Sequence, residues 1–490
     1  MSDIERQTRP KRGLSQVALI FACGTALFSD GYANGVIGSV NTMLRRLYPE
    51  EVANTNYGRT LSSLAFAGTV VGMLTFGYLS DRFGRKFGMM TATGIVALFS
   101  FLSATSYGAG GSIKGMLAAL SAYRFLLGIG VGAEYPCGSV AASEQTEEEG
   151  VAKNAQHRWF VLATNTMIDF GFVIAALVPV ILVKIFGENR LSIVWRGSLG
   201  LGIFPAIAVF IWRLQMEEPT RYKEGAMKQK VPYWLIFKRY WRGLVGISIV
   251  WFIYDFIVYP FGIYSSVIFD NLSGGRTELW IIFGWNVVSN LFYIPGTVVG
   301  AFFVDYLTPK YCLLTGLLLQ ALFGFVMSGC YNQLSKNIGG FAVMYGLFLS
   351  FGEFGPGNTL GLLASKTSPT AVRGQYYGIA AAIGKIGAFS GTWAFEAMID
   401  AFAKKDTTLG NTGPFWVGSG LAIFSAIVAF FMITPLTHDG MVEEDRKFRE
   451  YLEQHGYDLS NLGLTDDAAS SKSDLDEKRK DDASITGNTT

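Results

Sequence analysis

Apolar residues in this chain do not alternate with polar ones; they run in long blocks. Twelve blocks reach the roughly 20 residues that a helix needs to cross a bilayer: 16–40, 59–80, 87–107, 117–143, 158–183, 192–212, 243–268, 279–303, 311–331, 339–364, 374–398 and 413–435. Gly, Pro or polar residues interrupt the fourth, tenth and eleventh. The pattern predicts an all-α membrane protein of twelve transmembrane helices. Its expected parts are an N-terminal segment 1–15, a six-helix bundle 16–212, a connecting loop 213–242, a second six-helix bundle 243–436 and a tail 437–490. The tail is polar, with 14 Asp/Glu against 7 Lys/Arg after Thr437. Residues 440–456 are expected to form a surface helix and the remainder to be disordered.

Composition supports the membrane reading. Charged residues make up 16% of the 490, where a soluble domain carries about a quarter. Cys23, Cys137, Cys312 and Cys330 fall in apolar stretches without metal-ligand or disulfide spacing and read as packing residues. No nucleophile–base pair or phosphate-cradling glycine loop stands out, so neither an enzyme, a cofactor nor a bound metal is expected. A net charge of +2 gives no reason to expect nucleic acid. The basic residues, however, are segregated. They gather in the N-terminus, in the turn Arg82-Phe83-Gly84-Arg85-Lys86 and in the 213–242 connection, which includes Arg213. The positive-inside rule makes these cytoplasmic, together with both termini; Arg45, Arg46, Lys404 and Lys405 are the exceptions, in loops placed outside. Asn271-Leu272-Ser273 is a glycosylation sequon in a predicted outside loop.

A repeat is visible. Gly77 and Gly300 open related segments that lead to Asp81 and Asp305, 224 positions apart. Asp30 and Asp255 lie 225 apart, and Glu134 and Asn358 again 224. A six-plus-six duplication explains one shared offset, and the arrangement implies parallel halves.

Within the predicted spans, Asp30, Glu134, Asp169, Asp255, Glu353 and Lys385 sit near helix centres. There a charge costs about 2.5–3.5 kcal/mol on insertion scales and is a functional candidate by default. All three histidines, His157, His438 and His455, lie outside the spans or at an edge, so any proton carrier is expected to be a carboxylate. Trp251, Asp255 and Tyr259, at i, i+4 and i+8, share one helix face.

The stretch Gly77-Tyr78-Leu79-Ser80-Asp81-Arg82-Phe83-Gly84-Arg85-Lys86 resembles the signature loop of the major facilitator superfamily. The resemblance implies alternating access and assigns Asp81 and Arg85 to gating. Trp251, Asp255 and Tyr259, with Glu134-Tyr135-Pro136, Asn358 and Lys385, resemble the phosphate:proton symporters. Glu134 departs from the Asp of that family, and its helix-five Gln has no clear equivalent among Thr164, Asn165, Ile168 and Asp169. The run from Gly132 to Glu144 looks closer to the fungal glycerophosphodiester permeases. These resemblances imply a monomeric plasma-membrane symporter for a small anionic organic substrate such as glycerophosphoinositol or glycerophosphocholine. Lys385, Asp255, Trp251, Tyr259, Tyr135 and Asn358 would bind the substrate, and Asp30, Glu134 and Asp255 would couple protons. Inorganic phosphate symport and a transporter-shaped nutrient receptor are the alternatives, and the preferred headgroup stays open.

Overall fold

The computed structural model describes residues 13–53, 55–148, 150–227, 231–272, 278–436, 438, 440–457 and 459. Among these, twelve long helices are arranged as two bundles of six. In α1, helices Gly13–Gly24 and Phe28–Leu47 join through the tight turn Thr25–Leu27. There follow α2 (Tyr57–Phe83), α3 (Arg85–Ala104), α4 (Ile113–Thr146), α5 (Lys153–Phe186) and α6 (Glu188–Arg213). The second bundle holds α7 (Tyr233–Leu272), α8 (Leu279–Leu307), α9 (Pro309–Gly329), α10 (Ile338–Lys366), α11 (Arg373–Ala403) and α12 (Thr407–Met432). A further helix, α13 (Gly440–Gln454), lies where the tail pattern places one.

Ten of these helices are long and apolar enough to cross a membrane by length and composition. The two that fall short, α1 and α11, carry buried Asp30, Asn34 and Asn41, and buried Arg373 and Lys385, respectively. Polar groups are tolerated there because these helices face protein. The lipid-facing surfaces of others expose large apolar side chains instead, among them Leu98, Phe101, Phe204, Leu318 and Phe424.

Two boundaries differ from expectation. Helix α7 starts ten residues early, at Tyr233, so Lys238, Arg239 and Arg242 belong to its first turns. Arg213 is no loop cation but a fully buried residue ending α6. Asn271 lies in the last turn of α7; its side chain and Ser273 are outside the described residues, as are residues 460–490.

Both bundles break one helix with a π-turn containing proline, Tyr135–Ser139 in α4 and Glu353–Gly357 in α10. Such turns release backbone groups and re-aim side chains, and they are frequent at functional sites. The two turns lie 218 positions apart, against the 224 between Glu134 and Asn358, because 22 residues of α4 but only 15 of α10 precede the turn.

Across the interface α2 packs on α11, and α5 on α8. Close packing of α7 on α11 depends on missing side chains. A Cβ at Gly384 would lie 2.5 Å from Trp251 Cδ1, and one at Gly387 2.1 Å from the Phe252 carbonyl oxygen. Small residues of this kind let membrane helices approach backbone to backbone, and here they bring Lys385 against Asp255.

Candidate functional site

Lys385 projects from the middle of α11 into the seam between the bundles, where it is 1% exposed. Its Nζ lies 3.4 Å from Asp255 Oδ2 on α7 and 3.7 Å from Asp30 Oδ2 on α1. It also donates to the Tyr259 hydroxyl and stands over the Tyr259 and Tyr135 rings, 3.8 and 5.1 Å from their centroids. One ammonium thus faces two carboxylates contributed by opposite halves.

Those carboxylates are not equivalent. Asp30 accepts from Asn34 Nδ2 at 2.7 Å, Tyr135 at 2.6 Å and Tyr259 at 3.1 Å. Among the described residues Asp255 Oδ2 has no hydrogen-bond partner; the nearest opposite charge among them is Lys385, at 3.4 Å. An ionised carboxylate can accept at roughly four lone-pair sites. Asp30 is therefore well satisfied, whereas Asp255 retains capacity.

Beside this triad lies a cavity of about 50 Å³, bordered by Tyr135, Trp251, Asp255, Tyr259, Asn358 and Lys385, together with Asp169 and Glu353. All six residues expected to bind substrate therefore share one cavity, and Asp30 meets it through Tyr135 and Tyr259. Trp251 forms an aromatic wall with Tyr377, centroids 5.6 Å apart. Glu353 accepts from Tyr254 at 2.7 Å and from Asn165 at 3.0 Å. The Asn358 amide is engaged by Thr297 (2.9 Å to both its oxygen and its nitrogen) and by Asn165 at 3.0 Å. Helix α5 thus reaches the cavity through Asn165, together with Thr164, Ile168 and Asp169, the four residues among which the sequence showed no clear ligand. Tyr254, Thr297 and Tyr377 escaped notice because neutral polar side chains in a span are common and carry no charge signal.

Glu134 is elsewhere. It binds Arg213 at 2.8 Å, and Arg213 also donates to the Ala22, Cys23 and Met89 carbonyls. The position gives no support to the expectation that Glu134 carries a coupling proton; it balances a buried guanidinium that ties α1, α3 and α4 together. Removing one partner of a buried ion pair costs about 3–5 kcal/mol. Glu134→Gln is accordingly expected to lower the melting temperature of the purified protein, and Arg213→Met in the same chain to restore part of the loss. A melting temperature equal to the parent's in Glu134→Gln would contradict this role.

Both faces of the seam are closed. On the face bearing α13, Asp81 accepts from the Gly374 and Gln375 backbone nitrogens at 2.9 and 2.8 Å, and from Arg85 at 2.6 Å. A carboxylate from α2 thereby caps the N-terminus of α11, where the helix dipole favours negative charge. Glu144 extends this network, accepting from Arg85 at 3.1 Å and Arg373 at 3.2 Å. Asp305 repeats the arrangement in the other half, accepting from the His157 and Arg158 nitrogens of α5 at 3.2 Å. On the opposite face Glu396 of α11 pairs with Arg45 of α1 at 2.9 Å and with Arg59 of α2. Arg45, an exception to the charge rule in the sequence, therefore has a partner across the seam.

Over residues 17–232 and 223–448 the chain matches the family described as sugar (and other) transporter. It is 46% identical over 467 residues to the glycerophosphodiester transporter GIT2 of Candida albicans, covering 94% of this chain and 86% of that protein. It is equally 46% identical to the glycerophosphocholine permease GIT4 of the same organism, over 90% of this chain and 83% of the relative. The major glycerophosphoinositol permease GIT3, again from Candida albicans, is 43% identical over 96% of this chain and 88% of the relative. In fold it resembles the proton:xylose symporter XylE bound to 6-bromo-6-deoxy-D-glucose, at a TM-score of 0.74, 18% identity and coverage of 88% of this chain and 98% of that one. With two matches to that family's model along its length and these relatives, the chain is a multi-pass membrane transporter that belongs to the sugar (and other) transporter family of the major facilitator superfamily.

Proposed function

We propose that this protein is a plasma-membrane symporter that imports a glycerophosphodiester together with protons by alternating access, with both termini and α13 in the cytoplasm. The observation that carries this reading is the Asp30–Lys385–Asp255 triad at the seam of the two halves. A phosphodiester brings one permanent negative charge, and Lys385 is the one cation among the described residues bordering the cavity. Substrate and Asp255 therefore compete for the same ammonium. When the phosphoryl oxygens take Lys385, the displaced Asp255 is left buried beside a second negative charge, and a proton relieves both burial and repulsion. A protonated Asp255 can then donate to a phosphoryl oxygen. Asp30, held by its tyrosines, keeps Lys385 in place from the other half and so links substrate occupancy to the approach of the bundles.

The closed seam fits an occluded resting state of this cycle. Pockets for small organic ligands run from about 300 Å³ upward, far more than the cavity's 50 Å³. Substrate entry therefore requires one face to part, with Glu396 releasing Arg45 and Arg59 while Asp81 stays on α11; release into the cytoplasm requires the reverse. Asp81 and Arg85 act here as gate residues.

The relatives named for glycerophosphodiesters favour that substrate class over inorganic phosphate. The test is competition in proteoliposomes containing the purified chain. Labelled glycerophosphoinositol or glycerophosphocholine should exchange by counterflow and resist competition by an excess of inorganic phosphate. Displacement by phosphate alone would assign phosphate symport, and absence of counterflow for every candidate would favour a receptor.

A further inference from the structure

The second gate capping, at Asp305, differs chemically from the first. Where Asp81 pairs with Arg85, Asp305 is joined by two histidines. His157 Nδ1 lies 3.6 Å from Asp305 Oδ1, and the ring of His438 stacks on that of His157 with centroids 4.8 Å apart at 22°. One ligand-type atom from each of the three residues lies within 4.8 Å of the others. They come from three separate parts of the molecule: His157 from α5 of the first half, Asp305 from α8 of the second, and His438 from the segment between α12 and α13. His157 is 1% exposed, whereas Asp305 and His438 are partly accessible, which leaves an entry path from solvent.

We propose that His157, Asp305 and His438 form a binding site for a late first-row divalent cation, zinc above all, that locks the α13-bearing face shut. Two imidazoles and a carboxylate are a ligand set that suits zinc, and a three-residue set leaves the fourth tetrahedral position to water. Metal–ligand distances of about 2.0–2.2 Å place ligand atoms roughly 3.4 Å apart; His157 and Asp305, at 3.6 Å, already stand near that spacing, and no pair within the 4.8 Å limit needs to close by more than about 1.4 Å. The His438 ring, on the outer side of the stack, turns to bring its nitrogen inward. The Asp305 oxygens keep lone pairs beyond those used by the two backbone N–H groups of α5. Those two backbone N–H groups also hold the carboxylate in place, as metal sites require.

The functional consequence follows from connectivity. Opening this face separates α5 from α8 and pulls Asp305 away from His157, so the complete ligand set exists in the closed arrangement alone. An ion that binds one state multiplies that state's population by about one plus its concentration over its dissociation constant, about a hundredfold at one hundred times that constant. Zinc on the cytoplasmic side should then slow opening without touching the substrate cavity, and would place the tail in control of the gate.

Zinc titration calorimetry on the full-length chain in lipid nanodiscs tests the site. One ion per chain is expected to bind, with affinity at least tenfold weaker in both His438→Ala and His157→Gln. Cobalt(II) should give a tetrahedral absorption spectrum that both variants lose. His438→Ala, which removes a half-buried side chain outside the substrate cavity, should keep the parent's counterflow rate in a chelator and lose the slowing that zinc imposes on the parent. Unchanged zinc affinity in the two variants would overturn the site. Zinc that binds at full occupancy without slowing counterflow would overturn the latch.

Discussion

Replacing Lys385 with alanine is expected to abolish substrate uptake while leaving the amount of protein at the cell surface unchanged. Lys385 is buried at the seam and touches both halves through Asp30 and Asp255. An anion entering this space loses its water, and a charge-assisted hydrogen bond to an ammonium must replace it. Truncating one member of a buried, hydrogen-bonded charge pair costs about 2–5 kcal/mol, on the order of thirtyfold to several thousandfold in affinity. Without the lysine, the substrate would in addition face two carboxylates with no intervening cation. Surface expression is expected to survive, because Asp30 keeps its three hydrogen bonds and Asp255 can be neutralised by a proton. The competing view is that Lys385 does nothing more than neutralise Asp255. In that case Lys385→Ala with Asp255→Asn would recover a large part of the uptake lost by the single change. Binding and uptake measured side by side decide it: parent-like substrate affinity in Lys385→Ala would remove the lysine from the binding site.

The second large effect concerns pH. A phosphodiester stays singly charged throughout the physiological range, so it brings no titratable proton of its own. If the coupling proton resides on Asp255, substrate and proton bind together and each must strengthen the other's affinity. The sign follows directly. At low pH the empty site already carries its proton and affinity is at its plateau. As outside pH rises through the range where the empty site loses that proton, binding must take one up, and affinity weakens, by about tenfold per pH unit at the limit of one coupled proton. Asp255→Asn imitates the protonated side chain; it should bind substrate with a nearly flat pH profile, exchange it across the membrane, and fail to accumulate it against a gradient. The Asn amide can still donate to a phosphoryl oxygen, which is why binding should persist. A profile as steep in Asp255→Asn as in the parent would move the proton elsewhere, and Asp169 and Glu353, which border the same cavity, would be next to examine.

Much of this protein could be read from the order of its residues. Membrane helices satisfy their backbone internally, so the lipid-facing ones must be long apolar blocks, and these reveal themselves one by one. Lys385, Asp255 and Asp30 stood out for the converse reason: an ion in a span is costly enough to single out, and the three meet at the seam. The loop through Asp81 and Arg85 was legible because two copies of its acidic residue survive at a constant spacing. What the sequence could not rank was the set of charges against one another. Glu134 and Asp255 look alike as acids at the centre of a span, yet one points at Arg213 and the other into the seam. That distinction depends on helix rotation, set in α4 by the π-turn at Tyr135–Ser139 and in α7 by the glycines of α11. Arg213 looked like a loop cation because linear order cannot say that the end of α6 is covered by α1 and α3. The partners across the seam were equally hidden. Contacts such as Asp81 with Gly374, Asp305 with His157 and Glu396 with Arg45 join residues 148 to 351 positions apart, and two of them use backbone N–H groups that every residue except proline possesses. Local pattern, through the cost of placing polar groups in lipid, determined which helices exist and which charges lie inside them. The docking of two bundles decided which of those charges meet, because pairing at a buried interface depends on geometry that no spacing along the chain encodes.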